Sequence, residues 1–227
     1  MNMFIKASRP AEGSRPWFRL AWGETTFLHF EADPSALRSR VPRPLDLYQG
    51  RAYVSVVAIT VRRGWAAQSF LNVRTYVEGG ITFLGGWLSN PLGVVLGARL
   101  VGIPYRRARI SLRSAVSEVH LRARRGGRSL EFRAKLDPRQ TYGAPRPGSL
   151  DEFLLERYSA YTRAGRRRLS FRVWHEPWRI VRIDPELEEN GLLETTGGWL
   201  REARLACSHH SPGFDQVGMG CLERVRA

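Results

Sequence analysis

The residues best suited to chemistry stand out by type and spacing. Across residues 69–77, Asn72, Arg74 and Tyr76 alternate with Leu71, Val73, Thr75 and Val77. Side chains two apart on a strand share a face. An amide, a guanidinium and a phenol on one face could hold an anion, because a guanidinium grips a carboxylate through two parallel hydrogen bonds. Pointed inward they would line a cavity; pointed outward they would be a solvated face. His175 lies between two tryptophans in Trp174-His175-Glu176-Pro177-Trp178. A histidine there could carry protons near neutral pH, or it could be packed and hydrogen-bonded. Glu156, beside an apolar stripe, is a further acid/base candidate. The tandem His209-His210 has no third ligand at recognisable spacing. It reads as a hydrogen-bonded structural pair, and no metal site is expected. There is no nucleophile elbow, phosphate-cradling glycine loop or dinucleotide fingerprint.

The elements that must position these residues are mostly strands. Residues 25–30, 51–62, 69–77 and 81–88 are rich in β-branched and aromatic types. Residues 107–113, 119–125 and 130–136 each place alternate apolar side chains on one face, and Gly126-Gly127 marks a hairpin. Arginines fill the opposite face, as in a half-solvated antiparallel sheet. Further strands are expected over 169–175, 178–183 and 203–207. Asp33-Pro34 opens a short helix, which should end near Val41-Pro42. Asn90-Pro91 begins a second, over 91–100. The strongest helical pattern runs over 150–163. Ser149 and Glu152 form a capping box, and Leu150, Phe153, Leu154, Tyr158 and Tyr161 make an apolar stripe. Residues 188–196 suggest one more short helix. The expected fold is α+β: a strongly curved antiparallel β-sheet or barrel with a few peripheral helices. Residues 1–16 read as an N-terminal arm and 17–227 as a single domain.

Charge and composition narrow the partners. The 227 residues carry a net charge of +15 at pH 7, nearly all of it from arginine; the only lysines are Lys6 and Lys135. The basic residues are dispersed and no nucleic-acid module accompanies them. Weak, non-specific nucleic-acid association is therefore expected, without sequence preference. No apolar run is long enough for a membrane span, and residues 1–10 lack a signal's apolar block. A cytoplasmic protein with Cys207 and Cys221 as free thiols is expected. Oligomeric state is not readable.

Several of these segments, in order, resemble the YqjF-like family of uncharacterised bacterial proteins. They are Phe27-Leu28-His29-Phe30 with Asp33-Pro34, and Asn72-Val73-Arg74-Thr75-Tyr76-Val77. Gly102-Ile103-Pro104-Tyr105-Arg106-Arg107-Ala108, Phe153-Leu154-Leu155-Glu156-Arg157-Tyr158 and His210-Ser211-Pro212-Gly213 complete the set. The resemblance implies a fold like that of acetoacetate decarboxylase. That enzyme carries G-R-E-x-x-G-x-P-K-K, in which the first lysine forms a Schiff base and the second lowers its pKa. Here Gly97, Gly102 and Pro104 keep the framework, but Tyr105 and Arg106 stand in the two lysine positions, and Asn72 corresponds to the active-site glutamate. A Schiff base needs a primary amine with a lone pair, which neither tyrosine nor arginine supplies. The resemblance thus implies the fold and a cavity, not the reaction.

Taken together, the sequence points to a cavity protein for a small carboxylate or carbonyl compound. Asn72, Arg74, Tyr76, Tyr105 and Arg106 are its candidate binding residues, and Tyr105, His175 and Glu156 its catalytic candidates. No cofactor is expected. Whether it is an enzyme is left open, beyond its not being a Schiff-base decarboxylase. The alternative is a non-enzymatic scaffold or binding protein with a closed cavity. The third reading is nucleic-acid association through the basic surface.

Overall fold

The computed structural model describes residues 15–62, 67–100, 102–103, 105–164 and 167–225. All but the last two residues of the expected N-terminal arm lie outside these. The chain runs β1 (Phe18–Ala32), α1 (Pro34–Arg38), β2 (Ala52–Val61), β3 (Gln68–Val77), β4 (Gly80–Leu88), α2 (Pro91–Leu100) and β5 (Arg106–Arg107). It continues through β6 (Arg109–Ser114), β7 (Glu118–Arg125), β8 (Arg128–Lys135), α3 (Leu150–Leu155), β9 (Ser159–Ala164) and β10 (Arg167–Trp174). It closes with β11 (Val181–Arg182), β12 (Pro185–Glu189), two 3-10 turns at Leu193–Thr196 and Gly198–Glu202, β13 (Arg204–Ser211), β14 (Phe214–Met219) and β15 (Glu223–Arg224).

Two sheets result. The larger follows the order β11-β13-β1-β14-β10-β9-β4-β3-β2, with β5 on β4 and β15 on β10. Because β1 also pairs with β2, this path returns to its own middle and the sheet is strongly curved. Pairings are antiparallel except β4–β9 and β4–β5. The smaller sheet, β12-β8-β7-β6, is antiparallel throughout. Gly126 and Gly127, at φ +55° and +74°, make the two-residue turn between β7 and β8, a conformation that glycine adopts without steric cost.

Alternation decides what each sheet face buries. Leu28, Phe30, Val54, Val56, Leu71, Val73 and Trp87 pack against Val119, Leu121, Ala123, Leu130 and Phe132 of the small sheet. Phe27, Val57, Ile59, Tyr76 and Ile81 point the other way, toward Phe153, Leu154 and Leu155 of α3. Fully burying such side chains contributes about 1.5–3 kcal/mol each. Both faces of β3 are therefore enclosed. The small sheet's outer face is the arginine-rich one, with Arg109, Arg113, Arg122, Arg124, Arg133 and Lys135 exposed. Glu131 sits among them, within 2.9 Å of His120 and of Arg122.

Three expectations are corrected. The helix over 150–163 stops at Leu155. Its start matches the capping box: Ser149 accepts from the Glu152 N–H at 3.2 Å, and Glu152 accepts from the Gly148 N–H at 2.7 Å. The following Tyr-Ser-Ala-Tyr-Thr run instead pairs with β10 and β4. Apart from Ala160 those residues are weak helix formers, and strand pairing satisfies their backbone. Residues 188–196 divide between the end of β12 and a 3-10 turn. Finally, β13 extends through the tandem histidines to Ser211, and β14 continues along the same edge of β1 after a break at Pro212-Gly213. Among the described residues no helix is long and apolar enough to cross a membrane.

Candidate functional site

The curved sheet encloses a pocket of about 150 Å³. Its walls are mainly apolar, with Phe18, Trp22, Ile59, Phe70, Phe83 and Phe171 among them. The polar contributors are Gln68, Asn72, Arg74, Tyr105, Arg157, Ser159 and His175. Helix α2 contributes Gly93, Leu96 and Gly97. Among the described residues no carboxylate and no lysine lies on the wall.

The structure places Asn72, Arg74 and Tyr76 on the enclosed side of β3. Asn72 and Arg74 reach the pocket wall, while Tyr76 lies behind it in the apolar core. Tyr105 joins them. Its N–H bonds the Ile103 carbonyl at 2.8 Å, a tight turn that separates Tyr105 from the exposed Arg106 and Arg107. Its ring fits between two glycines. A Cβ on Gly86 would lie 2.7 Å from Tyr105 Cε1, and one on Gly97 would lie 2.8 Å from Cδ2. Gly86 is the cross-strand partner of Asn72, so the ring also lies beside that amide. The Asn72 side chain hydrogen-bonds the phenol, which partly offsets the burial that holds the phenol protonated well above its ordinary range. Asn72 Oδ1 is buried without a partner.

Arg74 has an unusual environment. Nη2 donates to the Leu154 carbonyl at 3.3 Å, the phenol of Tyr76 is a second partner, and Nε is buried with none. Among the described residues no carboxylate pairs with it. Burial pulls its pKa down, and Arg157 acts in the same direction. Arg157 is differently placed. It bonds Asp46 at 2.8 Å and the Phe153 carbonyl at 2.6 Å, with its guanidinium carbon 4.2 Å from the Phe153 ring centroid.

The remaining candidates separate. His175 lines the pocket within an aromatic cluster, 4.9 Å from the Tyr158 and Phe214 rings and 5.1 Å from Trp178. Nδ1 lies 2.6 Å from the Glu176 carbonyl oxygen, which can only accept. Nδ1 is therefore the donor in this contact, which makes Nε2 the nitrogen that could gain or lose a proton. Glu156 is not on the pocket wall. It accepts from the Trp178 N–H at 2.9 Å and from the Tyr158 hydroxyl, so it ties the end of α3 to the 178 loop. Arg106 is exposed on β5, paired in register with Trp87. Glu156 and Arg106 are thus removed from the candidate site by position. Lys135 is exposed on the small sheet.

The sequence reading missed a buried polar chain behind Arg74. Tyr76 donates to the Leu154 carbonyl at 2.9 Å. Its single proton is then used, so Ser55 Oγ must donate to Tyr76, and His29 Nδ1, 2.6 Å from Ser55, must donate to Ser55. Burial, with His209 and Arg74 nearby, holds His29 well below the ordinary histidine range. The imidazole is neutral and Nε2 is a bare acceptor. The available signal was the alternation of Phe27 and His29 within a strand otherwise rich in apolar residues.

Solved structures share this architecture at low identity. One is an acetoacetate decarboxylase from Legionella pneumophila subsp. pneumophila str. Philadelphia 1, with 13% identity, 92% of this chain and 86% of that one covered, and a TM-score of 0.59. An acetoacetate decarboxylase-like enzyme from Sphingomonas wittichii RW1 gives 17%, 92% of both chains and 0.59. The enduracididine biosynthesis enzyme MppR, complexed with the condensation product of pyruvate and imidazole 4-carboxaldehyde, gives 14%, 93%, 90% and 0.64. These establish the acetoacetate decarboxylase-like fold. By sequence, the chain is 29% identical over 203 residues to the uncharacterised protein YqjF of Bacillus subtilis (strain 168), covering 82% of this chain and 84% of the relative. A family model described as an uncharacterised conserved protein, DUF2071, matches residues 19–215. The chain that folds around this pocket is a member of the DUF2071 family.

Proposed function

We propose that the pocket binds a small carboxylate, such as a 2- or 3-oxo acid, with Arg74 as the anchor for its carboxylate group. The observation that carries this reading is the guanidinium of Arg74 on an apolar wall with no acidic partner among the described residues. The Arg74 side chain is partly buried; drawing a guanidinium out of water is costly unless an anion pairs with it, and an arginine stays charged at any physiological pH. The volume, about 150 Å³, matches a ligand of a few heavy atoms; apolar cavities of roughly this size take up benzene. Asn72 and Tyr105 supply hydrogen-bonding groups for a carbonyl or hydroxyl on the same ligand. One neighbour in fold, MppR, has been solved in complex with pyruvate, a ligand of this class.

The proposed reaction chemistry does not pass through an imine, since among the described residues no amine lines the wall. Any acid/base step would fall to His175 through Nε2, and to Tyr105 as a proton donor, because its phenol stays protonated. Binding without turnover needs only Arg74, Asn72 and Tyr105. Arg106 and Glu156 have no part in either version.

Calorimetric titration with pyruvate and acetoacetate, each against its amide analogue, tests the reading. The carboxylates should bind and the amides should not. Binding should vanish in Arg74→Met and persist in Arg124→Ala, which alters an exposed residue of the small sheet. Equal binding of acid and amide, or retained binding in Arg74→Met, would refute the anchor.

A further inference from the structure

On the far side of the Tyr76–Ser55–His29 chain, away from the pocket, a second group of side chains converges. Asp151 in the first turn of α3 and Cys207 and His209 on β13 bring a carboxylate oxygen, a thiol sulfur and an imidazole nitrogen within 4.8 Å of one another. Cys207 and His209 are two apart on one strand, so they share a face. His29, on the neighbouring β1, is the register partner of Cys207. Its ring centroid is 5.2 Å from that of His209.

The polar atoms of this group are poorly used. His209 is wholly buried, and its Nδ1 has no hydrogen-bond partner. Its Nε2 faces Asp151 Oδ1 at 3.2 Å. His29 is also wholly buried and its Nε2 has no partner. The donor chain through Ser55 and Tyr76 fixes the proton on Nδ1, which leaves a lone pair on Nε2. Buried polar groups are nearly always satisfied. One nitrogen from each imidazole, His29 Nε2 and His209 Nε2, beside a thiol and a carboxylate could be served by one common partner.

We infer that Asp151, Cys207 and His209 form a binding site for a divalent transition-metal cation of the zinc class, with His29 Nε2 as the candidate fourth ligand. The donor set selects the ion. A mixture of thiolate, imidazole and carboxylate suits zinc in tetrahedral geometry and is unsuited to magnesium or calcium, which take oxygen donors. Zinc bonds of about 2.3 Å to sulfur and 2.0–2.1 Å to nitrogen and oxygen set ligand atoms about 3.3–3.8 Å apart. Atoms up to 4.8 Å apart must close by as much as about 1.5 Å, within reach of side-chain rotations. The surroundings match a metal centre too. Ligating histidines commonly donate their other ring N–H to a fixed acceptor, and ligating carboxylates are themselves hydrogen-bonded. Ser55 takes the Nδ1 proton of His29, and Arg182 Nη2 lies 3.0 and 3.1 Å from the two oxygens of Asp151. Arg182 is 66% exposed at its side chain, so its charge can turn toward water when a cation arrives. The Cys207 thiol loses its proton to solvent as the sulfur–metal bond forms, with no change of oxidation state.

Cobalt(II) titration of the chelator-treated full chain is the test, read by absorption. One equivalent should produce a near-ultraviolet thiolate-to-cobalt charge-transfer band and visible bands of tetrahedral intensity, and one equivalent of zinc should abolish both. Cys207→Ser should lose the charge-transfer band. Cys221→Ser, which removes the exposed thiol, should retain it. Because Cys207 is only partly buried, its serine variant should fold; circular dichroism checks this, and His209→Gln serves as a second variant. Absence of the band in the unaltered chain at excess cobalt would overturn the proposal. So would a band that survives in Cys207→Ser or disappears in Cys221→Ser.

Discussion

Replacing Arg74 by methionine should make the ligand-free protein more stable while destroying its ability to bind a carboxylate. The structure gives the magnitude. Without ligand, Arg74 has one hydrogen bond to the Leu154 carbonyl at 3.3 Å, a contact with the Tyr76 phenol, a buried Nε with no partner and the like charge of Arg157 nearby. Removing it orphans nothing, since the Leu154 carbonyl keeps its 2.9 Å bond from Tyr76. Exchange of buried ionic groups for apolar ones of similar volume is often stabilising by about 1–4 kcal/mol. The tip of Arg74 borders the open pocket, which favours the lower end, about 1–2 kcal/mol. For a domain of this size each kcal/mol moves the melting temperature by about 2–4 °C. Differential scanning calorimetry should therefore show a rise of a few degrees. In the unaltered chain, a carboxylate at about 100 times its dissociation constant should add roughly 2.7 kcal/mol; in Arg74→Met it should add nothing. A melting temperature lowered by the substitution would show that Arg74 is a structural residue, and the anchoring argument would fail.

Gly97→Ala should cost about 1–3 kcal/mol in urea denaturation, because its methyl meets the Tyr105 ring at 2.8 Å. In a Tyr105→Ala background the same change should turn neutral or stabilising by up to about 1 kcal/mol, as alanine is the better helix former; equal costs in both backgrounds would show that the ring is not held between the glycines. Acid should destabilise the fold through His210, whose pKa burial lowers to about 4. The unfolded chain binds that proton first, so stability falls as pH drops from about 6.5 toward 4, by roughly 3 kcal/mol at the limit. His210→Gln should make this arm of the stability–pH curve shallower, leaving the share of His29, which burial also holds well below its ordinary range; an unchanged curve would show that His210 has no share. In a native thiol titration with a disulfide reagent, the exposed Cys221 should react quickly. Cys207, its thiol pushed up to about 12 by burial and by Asp151, should react only slowly; two equally fast thiols would contradict the packing of β13.

Strand alternation made much of this architecture legible. Leu71 and Val73 against Asn72 and Arg74, and the apolar rows of β6, β7 and β8, are local patterns with a period of two. Which row of β3 meets a pocket was not local information, because both faces of β3 are covered, one by the small sheet and one by α3. Tyr105 posed a different difficulty. Unbroken alternation would have put it beside Arg107 and Arg109 on the wet face, and only the turn at Ile103 turns it inward. The end of α3 was misread because Tyr158 and Tyr161 fall at helical spacing by coincidence, while partners from β10 and β4, remote in sequence, claim that backbone. The group around His209 was illegible for the same reason. Asp151, Cys207, His209 and His29 come from three elements, and no spacing along the chain records their meeting.

The position of β1 has a consequence for how the polypeptide is made. This strand pairs along one edge with β2, and along the other with β14 and then β13. Its first neighbour is synthesised soon after it, but Thr25 waits for Ser211 and Phe18 for Met219. Until residue 219 has left the ribosome the second edge of β1 has no native occupant, and an open edge is a template for strands of other chains. Closure must therefore follow translation, and it depends on contacts of large sequence separation, which fold slowly. A nascent chain halted near residue 200 would hold β1 through β4 with one side unsealed, a species expected to need a chaperone or to aggregate.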